Sequence, residues 1–166
     1  IPHSFIFHGI EGVGKDAVAI EFAKLLNCDN PDDELGSCDV CKSCKSTLNF
    51  NSTIFKFITA LPASKKEDDS GDAVLSETDH ELLNSELKKK SADPYYKIEI
   101  PKATTIKIES IRQIKKDIYY TGERGKKKIY LISNADMMRR EAANSFLKVL
   151  EEPPGDAVLI LTTSKL

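Results

Sequence analysis

The stretch Ser4-Phe-Ile-Phe-His8-Gly9-Ile-Glu-Gly12-Val-Gly14-Lys15-Asp16 decides the fold class. Residues 4–8 form a short apolar run with aromatics, the composition of a buried strand. The run breaks at Gly9, and Gly9 to Lys15 has the G-x-x-x-x-G-K spacing of a phosphate-binding loop. Glycines there let backbone N–H groups converge on an anion, because they tolerate positive φ and carry no Cβ. Lys15 would bring a positive charge to the β- and γ-phosphates of a nucleotide such as ATP or ADP. A helix is expected over residues 16–27, its N-terminal dipole also favouring phosphate. Its many apolar residues predict extensive burial. Strand, glycine loop and helix in this order predict a P-loop α/β domain; a plain glycine-rich turn is the alternative. The position after the lysine departs from the motif. Ser or Thr, whose hydroxyl would bind Mg²⁺, is replaced by Asp16.

Working outward, 166 residues suit a single α/β domain, and a net charge of −2 with 30% charged residues indicates no partner class. No apolar run has the length of a membrane span, and Ile1-Pro2-His3-Ser4 lacks the organisation of a signal peptide. A cytoplasmic protein with no membrane partner is the expectation. A start without Met and a stop just after an apolar strand suggest a piece of something longer.

The four cysteines are confined to residues 28–44, as Cys28, Cys38, Cys41 and Cys44. Four thiolates in so short a loop can surround one structural Zn²⁺ tetrahedrally and leave no open coordination position. An iron–sulfur cluster and free or oxidised thiols are the rival readings. Residues 28–48 are taken as a zinc module inserted in the domain.

Residues 53–59 are rich in β-formers and predict a second core strand. Residues 62–96 change character and read as a surface insertion. Lys65 to Asp72 would be a solvated, mobile loop, and residues 77–90 an exposed helix with Leu82, Leu83 and Leu87 as an apolar stripe. Residues 106–119 place isoleucines at helical spacing with basic residues between them, either a solvated face or a nucleic-acid contact. Residues 129–132 are a buried strand. An ATPase of this class would follow that strand with Asp-Glu, holding Mg²⁺ and polarising water. Ser133-Asn134 stand there instead, and Asn134 to Asp136 predict a cap for a helix over 137–150. Pro153-Pro154 end that helix, and residues 157–161 form a further strand with Thr162 and Thr163 at its end. Alternating strands and helices predict a parallel sheet flanked by helices, with any ligand at the strands' C-terminal edge.

The glycine loop, the cysteine quartet, and Ala143-Asn144…Leu147-Lys148-x-Leu150-Glu151-Glu152-Pro153-Pro154…Leu161-Thr162-Thr163 together resemble the bacterial DNA polymerase III clamp-loader subunits. The resemblance covers nearly all of the chain outside the insertion. It implies an AAA+ (RecA-like) nucleotide-binding-type domain over 1–166, with lid and collar domains lying elsewhere. Two subunit types in that family share the zinc insertion: the gamma/tau motor, which hydrolyses ATP, and the delta-prime stator.

The departures favour the stator type. A motor would carry Thr or Ser at position 16 and Asp-Glu at 133–134. Gly9, Gly12, Gly14 and Lys15 survive, so phosphate binding without hydrolysis, or a purely architectural loop, is implied; no residue is assigned a catalytic role. The resemblance further implies gamma/tau and delta subunits as partners, and action on the sliding clamp and primed DNA through the assembled loader. It places an arginine finger beyond Leu166, in a Ser-Arg-Cys motif. A motor ATPase and a zinc-dependent nucleic-acid-binding module are the alternative functions.

Overall fold

Ala157–Thr163 is buried along its whole length, so it must lie inside a sheet covered on both faces. In the computed structural model this strand, β8, sits in a four-stranded sheet of order β1-β8-β7-β2, with β1 at Ser4–His8, β2 at Phe55–Ile58 and β7 at Lys128–Ile132. All three pairings are parallel, with Ser4 opposite Leu159, Ile132 opposite Leu161 and Ile58 opposite Ile132. The C-terminal ends of all four strands therefore share one edge. The structure describes residues 2–50, 52–62, 66–67, 73–74, 77–120 and 122–165.

Side-chain alternation sorts the core into two halves. Ile129, Leu131, Val158 and Ile160 face one side, where they meet Ala19, Ile20 and Ala23 of helix α1, Lys15–Asn27. Tyr130, Ile132, Leu159 and Leu161 face the other, against Ile111 and Ile114 of helix α4, Ile108–Asp117, and Phe146 and Val149 of helix α5, Arg140–Glu151. The result is an α/β sandwich with a parallel sheet flanked by helices. Each large aliphatic side chain so buried contributes about 1.5–3 kcal/mol. Tyr130 is fully buried, and its hydroxyl donates at 2.7 Å to Asp117, which also meets Lys128 at 3.3 Å.

The short elements complete the chain. Helix α2 is Lys42–Leu48, and helix α3 is Glu77–Ala92. Antiparallel two-residue ladders join β3, Leu61–Pro62, to β6, Ala103–Thr105, and β4, Lys66–Glu67, to β5, Ala73–Val74. Apart from Lys66 and Glu67, the loop expected over 65–72 lies outside the described residues.

Four expectations change. Helix α1 is buried on one face only: Val18 and Leu25 are exposed, whereas Lys24 and Asn27 are buried because each has found partners. Ile106 precedes α4 rather than belonging to it, and bridges to Met138. The helix expected over 137–150 is a 3₁₀ turn, Ala135–Met137, followed by α5; Asn134 makes no side-chain cap and adopts a left-handed backbone (φ 53°). Finally, α3 is not simply exposed. Leu87 packs on the α1-side core, and Glu86 and Lys90 are each only 3% exposed.

Candidate functional site

The glycine loop leaves the C-terminal end of β1, and its position is set by the sheet. Gly9 N donates to Thr163 O at 3.2 Å, continuing the β1–β8 ladder by one bond. Gly12 and Gly14 then take φ of 81° and 87°, the left-handed region where a Cβ is disfavoured. Gly14 is also the residue that precedes α1, so the loop opens the helix as its sequence requires. Lys15 folds back on the loop, donating to Gly9 O and Ile10 O at 2.9 Å each.

Asp16, Ser133 and Asn134 depart from an ATPase pattern at separate places in the chain, and the fold brings them together. Ser133 lies at the end of β7, its N–H bonded to Ile58 O at 2.8 Å, with Thr162 at the end of the neighbouring β8. Asp16 Oδ2 accepts from Ser133 Oγ and Asp16 Oδ1 from Thr162 Oγ1, both at 2.7 Å. Asn134 completes the network: its N–H donates to Thr162 Oγ1 at 3.2 Å and its side-chain amide to Ser133 Oγ at 3.4 Å. Asp136, in the 3₁₀ turn, accepts from Thr163 Oγ1 at 2.9 Å. The carboxylate at position 16 is thus held by hydroxyl donors from two strands.

Sequence reasoning missed what residues 86–99 add. Lys90 Nζ, at the end of α3, lies 3.7 Å from Asp16 Oδ2 and 5.9 Å from the centre of the Phe57 ring. It donates to Pro94 O at 3.0 Å and Tyr96 O at 2.8 Å, so the chain wraps around it. Burial pushes the Lys90 ammonium below its ordinary value, against the opposing pull of Asp16. Tyr95 lies over Gly14; a Cβ there would meet its ring at 2.9 Å. Lys97 pairs with Glu11 of the loop at 2.6 Å. Beneath these contacts, buried Glu86 accepts from Glu99 N and Tyr96 Oη at 2.9 Å and from Lys89 Nζ at 2.7 Å. The Glu99 N–H and Lys89 hold its carboxyl down at about 2. A cleft of about 820 Å³ opens beside this cluster at the strands' C-terminal edge, walled by Glu11, Thr59, Lys97, Asn134, Asp136 and Lys165. The local signal for Glu86 and Lys90 was only a charged i, i+4 pair, the pattern of a solvated helix face.

The cysteines form the second site. Cys28 follows α1, Cys41 caps α2 by accepting from Cys44 N at 3.4 Å, and Cys38 N donates to Cys28 Sγ at 3.3 Å. All four are free thiols whose sulfurs lie within 4.8 Å of one another. Tetrahedral Zn–S bonds of about 2.3 Å set the sulfurs about 3.8 Å apart, so the set fits one ion with small adjustment. The Cys38 N–H holds the Cys28 thiol below its ordinary value, whereas burial pushes Cys44 up to about 12. A central cation would supply the charge that burial withholds from Cys44. Two mounts fix this loop to the core: buried Lys24 pairs with Glu21 at 2.6 Å and with Asp39, and Asn27 bonds both the N–H (2.7 Å) and the C=O (2.8 Å) of Lys127.

Among the described residues no helix is long and apolar enough to cross a membrane. Compared with known proteins, the chain is 32% identical over 164 residues to the DNA polymerase III subunit gamma of Buchnera aphidicola subsp. Schizaphis graminum, covering 99% of this chain and 33% of that protein. It is 29% identical over 164 residues to the DNA polymerase III subunit tau of Salmonella typhimurium, covering 99% and 19%. Against the DNA polymerase III subunit delta' of Pseudomonas aeruginosa the identity is 27% over 159 residues, covering 96% and 36%. The chain therefore spans 19% to 36% of the length of these three relatives. The family model described as DNA polymerase III, delta subunit matches residues 1–166, and the chain belongs to that family.

Proposed function

We propose that this chain is the AAA+-type domain of a stator-like, delta-prime-type subunit of a DNA polymerase III clamp loader, with a P-loop that does not hydrolyse ATP. The observation that carries the proposal is the network joining Asp16, Ser133 and Thr162. Hydrolysis asks position 16 for a neutral hydroxyl on Mg²⁺ and the end of β7 for two carboxylates, one near the ion and one to orient water. Here the carboxylate is at position 16, and Ser133 and Thr162 donate to it. Asn134 cannot take a proton from water. Losing one such positioned group commonly costs on the order of 10²-fold or more in rate.

In this reading the subunit works beside gamma/tau and delta subunits in the cytoplasm, and reaches the sliding clamp and primed DNA through the assembled loader. Cys28, Cys38, Cys41 and Cys44 hold a structural Zn²⁺, which ties the 28–48 module into one unit. Gly9, Gly12, Gly14, Lys15 and Asp16 are the residues a nucleotide phosphate would meet. The names of the gamma and tau relatives favour a second reading, an ATP-hydrolysing motor. Phosphate release by the full-length protein, with and without Lys15→Ala, separates the two. Equal background release supports the stator; turnover that Lys15→Ala abolishes overturns it in favour of the motor.

A further inference from the structure

We propose that the segment from Lys90 to Lys97 is an internal latch: it closes the glycine loop against nucleotide, and the Lys90 ammonium stands at Asp16 in place of a divalent cation. The inference rests on the stator reading and adds how the site is regulated.

Three contacts from one short segment reach three successive parts of the loop. Lys97 pairs with Glu11 at 2.6 Å, at the loop's crown. Tyr95 covers Gly14, where the loop turns into α1. Lys90 lies 3.7 Å from Asp16, in the first turn of that helix. A triphosphate seated on the backbone N–H groups of this loop would need the face that Tyr95 covers, and its metal would need the Asp16 carboxylate, which Lys90, Ser133 and Thr162 already satisfy. Lys15 is likewise turned inward to Gly9 O and Ile10 O.

The segment is buried at its root, where Lys90 meets Asp16, and exposed where Tyr95 and Lys97 meet the loop. At the root, Lys90 gathers the carbonyls of Pro94 and Tyr96, and buried Glu86 holds Tyr96 and Glu99. Asp93 adds a turn, accepting from Tyr95 N at 2.9 Å. At the tip, Tyr95 is 75% exposed and the Lys97 side chain 71% exposed. An exposed ion pair contributes little, so the tip can lift while the root stays folded. That division is what a latch requires, and it makes opening a local event.

The test measures binding of a fluorescent ATP analogue to the full-length protein, with Mg²⁺ and with EDTA. Tyr95→Ala combined with Lys97→Ala removes only exposed side chains and should leave the melting temperature unchanged. Affinity should rise at least tenfold over the unaltered protein. In Lys90→Met, which frees Asp16, Mg²⁺ should strengthen binding, whereas in the unaltered protein Mg²⁺ and EDTA should give the same affinity. Unchanged or weaker binding in the Tyr95/Lys97 variant would overturn the latch. ATP hydrolysis by the unaltered protein is a separate readout and would overturn the stator reading instead.

Discussion

Ser133 Oγ donates a 2.7 Å hydrogen bond to Asp16 Oδ2, joining residues 117 positions apart. The bond ties the end of β7 to the first turn of α1, across the C-terminal edge of the sheet. Hydrogen bonds to an ionised group are roughly twice as strong as neutral ones. Asp16 and Ser133 therefore answer one another: an acid where a hydroxyl is expected is matched by a hydroxyl where an acid is expected.

The cysteine quartet should bind close to one equivalent of Zn²⁺ per chain. Cys41→Ser should lose the metal and loosen residues 28–48 while the α/β core stays folded, because β7 and β8 bury their own apolar side chains against α1, α4 and α5. Metal analysis of protein purified without chelators, together with far-UV circular dichroism, checks both parts. Zinc-free protein with reduced thiols is the contrary result.

Asn27→Ala tests the mount beneath that module. Asn27 is 2% exposed and satisfies both backbone groups of Lys127. Leaving a buried polar group without a partner costs about 1–3 kcal/mol, so with two such groups urea unfolding should show a loss of at least that size. Zinc should also pass faster to a competing chelator, because Cys28 is the next residue. An unaltered unfolding midpoint would mean water replaces the amide.

Glu86 makes stability depend on acid. Its carboxyl lies at about 2 in the fold against an ordinary 4.5, so the folded state binds the proton less readily than the unfolded chain. The stabilisation is fully present above about 4.5 and is lost as pH falls towards 2. Glu86→Gln should lower the melting temperature near neutral pH, and the gap from the unaltered protein should narrow steadily below 4.5. A gap independent of pH would show that Glu86 acts by shape alone.

Local signals carried the sheet and the loop well. The strand over 4–8, the break at Gly9 and the helix from Lys15 lie within one residue of their expected positions, since apolar runs and glycines act on their own neighbours. The cysteine cluster was legible for the same reason. What sequence could not convey was the role of residues 86–99. Glu86 and Lys90 are charged residues on a largely polar helix, and carbonyls, N–H groups and a carboxylate brought from elsewhere, with Lys89 of the same helix, make their burial tolerable. Tyr95 over Gly14 is likewise a contact of tertiary structure, with no periodicity to announce it.

Asp16→Thr restores the residue that the loop motif expects, yet in this protein it should destabilise rather than activate. Asp16 Oδ1 and Oδ2 are the acceptors for Thr162 and Ser133, and a threonine hydroxyl offers one oxygen in place of two. Lys90, whose side chain is 4% exposed, would lose the carboxylate opposite it. Breaking a fully buried ion pair costs roughly 3–5 kcal/mol. The Lys90–Asp16 pair is long, at 3.7 Å, Asp16 is 23% exposed, and Lys90 keeps two carbonyls, so the loss should be nearer that of an unsatisfied polar group. That places it at about 1–3 kcal/mol. Adding Lys90→Met removes the stranded charge and should return part of the loss, giving a coupling between positions 16 and 90 in a double-mutant cycle. Additive losses in urea unfolding would mean that Lys90 and Asp16 are neighbours without an energetic link. On the stator reading, Asp16→Thr should show no steady ATP turnover, because Ser133 and Asn134 still provide no carboxylate at the end of β7.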